Sequence, residues 1–125
     1  MSLDITLTAR VPTLNCVCRR CGSDECEETN VEVFEWNITH NLTTMADAAG
    51  AYKAVWRPEE NGFASAGQVA PILRDAIKQM ERDPVKFLLL NPENGWGTYD
   101  GLLKFFRNYL EACERYPEAT IHACR

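Results

Sequence analysis

The chain has 125 residues, of which 46% are hydrophobic and 25% are charged, and its formal net charge is −5. This length is typical of one domain, and the composition excludes a disordered tail, a coiled coil and a membrane span. The first residues lack the basic segment and the apolar run of a signal peptide, so we expect a cytoplasmic protein. The unusual feature of the composition is its six cysteines.

The N-terminal segment is predicted to form a β-strand, because apolar and polar residues alternate over positions 3–11. Pro12 ends this strand. Residues 31–38 are rich in β-branched and aromatic side chains and predict a second strand. The simplest arrangement is an antiparallel hairpin, whose long connection at about residues 13–29 contains four of the six cysteines.

The hairpin connection carries the candidate metal ligands. Its core, Cys18-Arg-Arg-Cys21-Gly22, is a knuckle pattern in which two thiolates face one ion and the glycine allows a positive φ. Together with Cys16 and Cys26, these thiolates predict a structural zinc site, since clustered cysteines in a reducing cytosol are more often ligands than disulfides. Free thiols in a solvated loop are the alternative. One ligand could also come from elsewhere in the chain, namely from His40, His122, Cys113 or Cys124.

Charged residues crowd around the same cysteines. A solvated loop is the simple interpretation, and the functional one is an acidic surface that docks on a basic groove. The candidate interaction surface consists of Arg19, Arg20, Asp24, Glu25, Glu27 and Glu28. Two arginines among this many acids argue against direct binding of nucleic acid.

Beyond the second strand, the apolar residues recur with the period of a helix. One helix is predicted over residues 42–56, with Thr39 or Asn41 as its cap. A second helix begins at the capping-box pattern Ser65–Gln68 and ends before Pro84. Each has one apolar face that requires a partner in the core.

The remaining segments complete the predicted fold. Residues 84–90 fit either a short helix or an extended segment, whereas a third helix follows Thr98 and stops at Pro117. Positions 119–124 alternate again and predict a strand that can join the hairpin. The chain is therefore predicted to be a single α+β domain over residues 1–125, with about three helices on a short antiparallel sheet.

Three segments together are similar to those of a known family. They read Asn37-Ile-Thr-His-Asn-Leu, Trp56-Arg-Pro-Glu-Glu and Asn91-Pro-Glu-Asn-Gly-Trp-Gly. They resemble an uncharacterised family of small proteins from phages, prophages and bacteria. The resemblance implies a phage context, hence the cytosol of a host cell, and no particular reaction. Small acidic phage proteins often bind host or competitor proteins, and anti-CRISPR inhibitors are among them.

A second candidate site lies in these signature segments. His40 could ligate a metal or act as a base, with Asn37 and Asn41 beside it in the sequence. The alternative is a structural cluster, in which these side chains cap a helix and pack against neighbouring residues. Trp96, which stands between two glycines, could stack on a ligand or hold its loop against the core.

These features favour a non-enzymatic, zinc-stabilised module that binds another protein. Its most concrete form is an anti-CRISPR-type inhibitor of a host defence nuclease complex, whose partner is a host or competitor protein such as a CRISPR effector. A nucleic-acid-associated zinc protein is the first alternative, and a small metal-dependent hydrolase that uses His40 is the second. The sequence has no phosphate-binding loop, zincin motif or nucleophile elbow, which argues against an enzyme.

Overall fold

The computed structural model describes residues 2–12, 28–93, 95 and 97–125, and it confirms an α+β fold. The strands are β1 (Ser2–Pro12), β2 (Glu28–Thr39) and β3 (Thr120–Cys124). The α-helices of the described residues are α1 (Thr43–Ala48), α2 (Tyr52–Trp56), α3 (Ala66–Arg82), α4 (Pro84–Leu88) and α5 (Tyr99–Arg115). Short 3₁₀ helices lie at His40–Leu42 and Glu59–Asn61. Within these residues, no helix has both the length and the apolar character needed to cross a bilayer.

The strands form one antiparallel sheet in the order β2-β1-β3. β1 pairs with β2 along its whole length, from Ser2 opposite Thr39 to Pro12 opposite Glu28. β3 pairs with the other edge of β1, with Thr120 opposite Thr8. The predicted hairpin and the predicted final strand are therefore both confirmed.

Alternation along β1 separates a buried face from a polar face. Leu3, Ile5 and Leu7 have no exposed surface and join the core with the helices, whereas Asp4 is exposed. The other face of the sheet carries polar side chains and one cysteine that are exposed or half-exposed: Asp4, Thr6, Thr8, Glu32, Glu35, Asn37, Thr120, His122 and Cys124.

A β-bulge in β2 corrects the orientation of its apolar residues. Leu7 lies opposite Phe34, while the next residue of β1, Thr8, lies opposite Glu32, so that Val33 is the extra residue. In the sequence, the apolar positions change parity between Val33 and Phe34. The bulge absorbs this change, and both side chains pack against the core.

The helix predicted over residues 42–56 is divided into α1 and α2. Gly50 has a φ of 82°, a left-handed conformation that glycine adopts without steric cost. Its N–H donates to the Asp47 carbonyl at 2.9 Å, and the Ala51 N–H donates to the Ala46 carbonyl at 3.0 Å. These two bonds form a Schellman motif, which ends α1 and redirects the chain.

The helices of the C-terminal half begin at side-chain caps. The Gln68 carbonyl Oε1 accepts from the backbone N–H groups of Ala64 at 2.7 Å and Ser65 at 3.1 Å at the start of α3. The Thr98 hydroxyl accepts from the Gly101 N–H at 3.0 Å at the start of α5. Both helix starts agree with the predicted caps. The segment whose conformation was left open is helical over α4.

Four aromatic rings join the sheet to α5. Phe34 and Trp36 on β2 stack at 6.2 Å, and Phe105 and Tyr109 on α5 stack at 5.6 Å. Across the interface, Phe34 stacks on Tyr109 at 5.3 Å and Trp36 on Phe105 at 5.8 Å. We call this closed set of four rings the aromatic quartet. Each such pair contributes about 0.5–1.5 kcal/mol beyond the burial of apolar area.

The quartet buries a hydroxyl group without a partner among the described residues. The Tyr109 hydroxyl is fully buried and accepts or donates no hydrogen bond there, and its burial raises its pKa. Tyr99, at the other end of α5, differs because its hydroxyl donates to the Met80 carbonyl at 2.7 Å. Of the two tyrosine hydroxyls of α5, that of Tyr99 is therefore hydrogen-bonded, whereas that of Tyr109 has no partner among the described residues.

This difference predicts opposite effects of the same substitution. Tyr109→Phe should leave the free energy of unfolding unchanged or raise it by about 1 kcal/mol, because it removes a buried hydroxyl that has no partner among the described residues. Tyr99→Phe should lower it by about 1 kcal/mol, because the Met80 carbonyl loses its donor. Urea unfolding of both variants measures the two values. A larger loss for Tyr109→Phe than for Tyr99→Phe would contradict the assignment.

Candidate functional site

The cysteine-rich segment 13–27 lies outside the described residues. It contains the predicted zinc ligands Cys16, Cys18, Cys21 and Cys26 and the predicted surface residues Arg19, Arg20, Asp24, Glu25 and Glu27. Glu28, the last residue of that predicted surface, begins β2, where its backbone pairs with Pro12. The residues that flank this segment, Pro12 and Glu28, are therefore paired in the sheet, as the hairpin prediction requires. The zinc site itself stays a prediction.

The four substitute ligands are separated in the structure. Cys113 is fully buried on α5, and burial raises the pKa of its thiol to about 12, so the thiol is protonated at neutral pH. His122 and Cys124 are exposed on the polar face of the sheet. His40 is half-buried beside α2. Over the described residues, no group of three or more His, Cys, Asp or Glu side chains could hold a metal ion.

His40 accepts a hydrogen bond from a buried tryptophan. The indole Nε1–H of Trp56, a residue that is 1% exposed, donates to Nδ1 of His40 at 3.1 Å. An indole nitrogen is only a donor, so Nδ1 must be the acceptor and the neutral imidazole carries its proton on Nε2. A general base or a metal ligand needs a free nitrogen lone pair, but in this arrangement Nδ1 already accepts from Trp56 and Nε2 carries the proton. This geometry supports the capping and packing interpretation of His40 over the hydrolase alternative.

Further polar contacts surround Trp56. The ring of Tyr52 stacks on its indole at 6.0 Å, and the Tyr52 hydroxyl accepts from Nε of Arg57 at 3.0 Å. The Tyr52 hydroxyl and the Glu60 carboxylate raise the pKa of Arg57 above its ordinary value. Nη1 of Arg125 donates to the Trp56 carbonyl at 2.7 Å. The contacts of Trp56 thus link the segment that follows β2 to the end of β3.

The turn that precedes α5 packs on the same region. Gly97 has a φ of 101°, and a Cβ atom at this position would lie 2.8 Å from both the Leu42 Cγ and the Thr39 Cγ2 atoms. Only glycine satisfies both the conformation and the close approach. Together with the Trp56–His40 bond, this contact joins the three signature segments into one cluster. Trp96, which was predicted to stack or pack there, lies outside the described residues.

The asparagines of the predicted second site have structural partners of their own. Nδ2 of Asn37 donates to Oδ1 of Asp4 at 2.6 Å on the polar face of the sheet. The backbone N–H and side-chain Nδ2 of Asn41 both donate to the Thr39 hydroxyl, at 3.2 and 3.1 Å. The structure thus brings His40 to Trp56, while the asparagines bond to Asp4 and Thr39.

Sequence reasoning missed an exposed apolar surface on α4. Val85, Leu88 and Leu89 are 64%, 46% and 81% exposed, and Val31 is the other large apolar side chain that is exposed in the described part of the chain. We call these three residues the α4 patch. Their spacing of i, i+3 and i+4 places them on one side of a helical turn. The apolar run from Phe87 to Leu90 was the signal in the sequence.

α4 holds this patch in a defined orientation. Phe87 is 1% exposed and its ring contacts that of Tyr99 at 6.4 Å, so the opposite side of the helix faces solvent. Pro84 begins the helix, and Oδ1 of Asp83 accepts from the Lys86 N–H at 3.4 Å. The Leu89 N–H donates to the Val85 carbonyl at 3.1 Å, which keeps Leu89 in helical geometry.

A cavity of about 540 Å³ lies between β1 and the connection from α5 to β3. Thr8, Arg115, Glu118 and Thr120 are among its lining residues. It contains neither His40 nor any residue of the α4 patch. Its two charged residues, of opposite sign, are both exposed.

The Trp56–His40 bond predicts a clear pattern of stability. His40→Phe should lower the free energy of unfolding by about 1–3 kcal/mol, because it leaves the buried indole N–H without an acceptor. His40→Gln should recover part of the loss, since its amide oxygen can accept. His122→Gln, at the exposed histidine, serves as the control. Equal stability of His40→Phe and the wild type in urea would contradict a structural role for this bond.

Comparison of the chain with models of known protein families, with curated proteins and with solved structures found no match. A function for this chain therefore has to be argued from its own residues. The two features that the structure adds are the cluster around Trp56 and the α4 patch. The first is built from internal hydrogen bonds and packing, whereas the second faces solvent.

Proposed function

We propose that the chain is a non-enzymatic protein-binding module, ordered by zinc at Cys16, Cys18, Cys21 and Cys26. Its most concrete form is a phage-encoded inhibitor that binds a host defence nuclease complex in the manner of anti-CRISPR proteins. The exposed α4 patch is the observation that carries the binding function. The resemblance of the signature segments to phage proteins supports the biological context.

The energetics of the α4 patch support this proposal. Full burial of a Val or Leu side chain stabilises by about 1.5–3 kcal/mol relative to full exposure. Three such side chains on one helical turn therefore supply several kcal/mol when a partner covers them. Because Phe87 holds α4 against the core, little conformational entropy is lost on binding. Exposed apolar side chains concentrated in this way are typical of protein interaction sites.

The hydrogen bond of His40 is compatible with a protein-binding function, and it gives His40 a role that does not depend on catalysis. His40 uses its Nδ1 lone pair to satisfy Trp56, and Cys113 is a buried, protonated thiol. These two groups therefore stabilise the fold, and the solvent-facing α4 patch is left for a partner.

Substitution of the α4 patch is predicted to weaken partner capture. Leu88→Ser/Leu89→Ser should weaken binding by at least about tenfold, which corresponds to about 1.4 kcal/mol of lost burial. The variant should fold normally, because substitution of exposed side chains changes stability by less than about 0.5 kcal/mol. Val31→Ser is the matched control, since Val31 is exposed on β2 outside the patch. A pull-down from host lysate, followed by titration of the purified partner, measures the difference.

Retention of every partner by the double variant would exclude the α4 patch as the binding surface. The inhibitor form has its own readout, in which a host with an active CRISPR nuclease is challenged by a targeted phage. The wild type and Val31→Ser should restore plaque formation, and Leu88→Ser/Leu89→Ser should not. If the wild type restores no plaques, the partner is a different protein.

The zinc prediction is tested independently of binding. Elemental analysis should find about one zinc ion per chain, as a single tetrathiolate site requires. Cys18→Ser/Cys21→Ser should release the metal and lower the melting temperature, because metal binding contributes to folding free energy. Cys124→Ser removes a cysteine on β3 and should change neither value. Metal retained by the double variant at the wild-type level would overturn the assignment.

A further inference from the structure

We infer that the α4 patch docks an acidic amphipathic helix of the partner protein. This inference rests on the proposed protein-binding function and specifies the chemistry of the partner. Its occupant presents a stripe of aliphatic side chains, which covers Val85, Leu88 and Leu89, and carboxylates beside that stripe. Shape and charge support it independently.

The shape of the α4 patch suits a helix. Its three side chains stand at i, i+3 and i+4 on a convex helical turn, and such a ridge packs between the ridges of a second helix. A standard interface buries roughly 800 Å² on each partner, more than three side chains provide. Residues outside α4 must therefore contribute, and the exposed residues at the end of α3 lie next to α4 in the sequence.

Three cations lie on the segment of the chain that contains the α4 patch. Lys78 and Arg82 are four residues apart on the exposed side of α3, and Lys86 lies on α4 with its Nζ 5.4 Å from the centre of the Phe87 ring. None of these three cations has an ion-pair partner among the residues that the structure describes.

Two acids lie on the same segment of the chain. Glu81 pairs with Arg107 at 2.9 Å, and Asp83 caps α4. Residues 78–89, with three cations and two acids, thus have a net charge of +1 in a chain whose formal charge is −5. Complementary carboxylates on the partner would steer its approach and set its register.

The same cations argue against two copies of the chain meeting through this surface. A twofold axis at α4 would bring Lys86 and Arg82 towards the same residues of the second copy, and like charges repel. An acidic helix removes this repulsion and pairs each cation with a carboxylate. The charge distribution therefore favours a partner of opposite sign.

Two synthetic peptides test the inference with the full-length protein. One is a labelled amphipathic helix with Leu on one face and Glu on the other, and its twin has Lys in place of every Glu. Fluorescence anisotropy should show the Glu peptide binding at least about tenfold more tightly than the Lys peptide, with affinity that falls as salt rises. Leu88→Ser/Leu89→Ser should abolish binding, and Arg82→Glu/Lys86→Glu should reverse the preference. Lys104→Glu, at an exposed lysine of α5, is the charge control and should leave the preference unchanged.

Three outcomes would overturn the inference. Equal binding of the two peptides, or no binding, excludes an acidic helix. Preferential binding to phosphatidylserine vesicles over the Glu peptide, lost in Leu88→Ser/Leu89→Ser, identifies a membrane surface instead. A concentration-dependent dimer that the same variant loses identifies a second copy. If Leu88→Ser/Leu89→Ser loses the lysate partner but the two peptides bind the wild type equally, the inference of an acidic helix is wrong. The proposed protein-binding function is then still supported.

Discussion

The aromatic quartet is the interaction on which the arrangement of the molecule depends. Phe34 and Trp36 stand on the edge strand β2, and Phe105 and Tyr109 stand on the long helix α5. The β-bulge at Val33 is required for it, because without the extra residue the side chains on one side of the bulge would turn to the polar face. The quartet places α5 across the sheet, and α3 and α4 then pack against α5. The Tyr109 hydroxyl, which has no partner among the described residues, opposes this packing, and the large apolar area that the rings bury outweighs it.

The structure separates residues that maintain the fold from residues that are free to bind. The three signature segments meet through the Trp56–His40 hydrogen bond and through the close approach of Gly97 to Thr39 and Leu42. Among the described residues of these segments, Asn37, His40 and Arg57 are engaged in internal hydrogen bonds. The α4 patch is the reverse case, since Phe87 anchors the helix from the inside and leaves Val85, Leu88 and Leu89 to solvent. This division is the basis of the proposed binding function, whose surface does not include His40.

Local patterns in the sequence were sufficient for much of the fold. The alternation at Leu3, Ile5 and Leu7 predicted β1, and the caps at Ser65 and Thr98 predicted the starts of α3 and α5. The prediction of one helix over residues 42–56 was wrong in its continuity, because the helical period continues past Gly50 while the backbone does not. The buried stripe of α5 includes Phe105 and Tyr109 beside Leu102, Phe106 and Cys113. That stripe is widened because α5 packs against both α3 and β2, and one sequence shows no sign of a second packing partner.

By itself, the sequence determined the α+β class, the antiparallel hairpin, the strand that closes the sheet and most helix boundaries. These depend on periodicity, capping side chains and turn residues, all of which act over a few positions. The tertiary structure decided what each polar or exposed side chain does. His40 is an acceptor because Trp56 arrives from sixteen residues away, and Leu89 is exposed because Phe87 takes the core position on the other side of α4. Such roles depend on which surfaces meet in space, and that information is held by pairs of distant residues rather than by any local pattern.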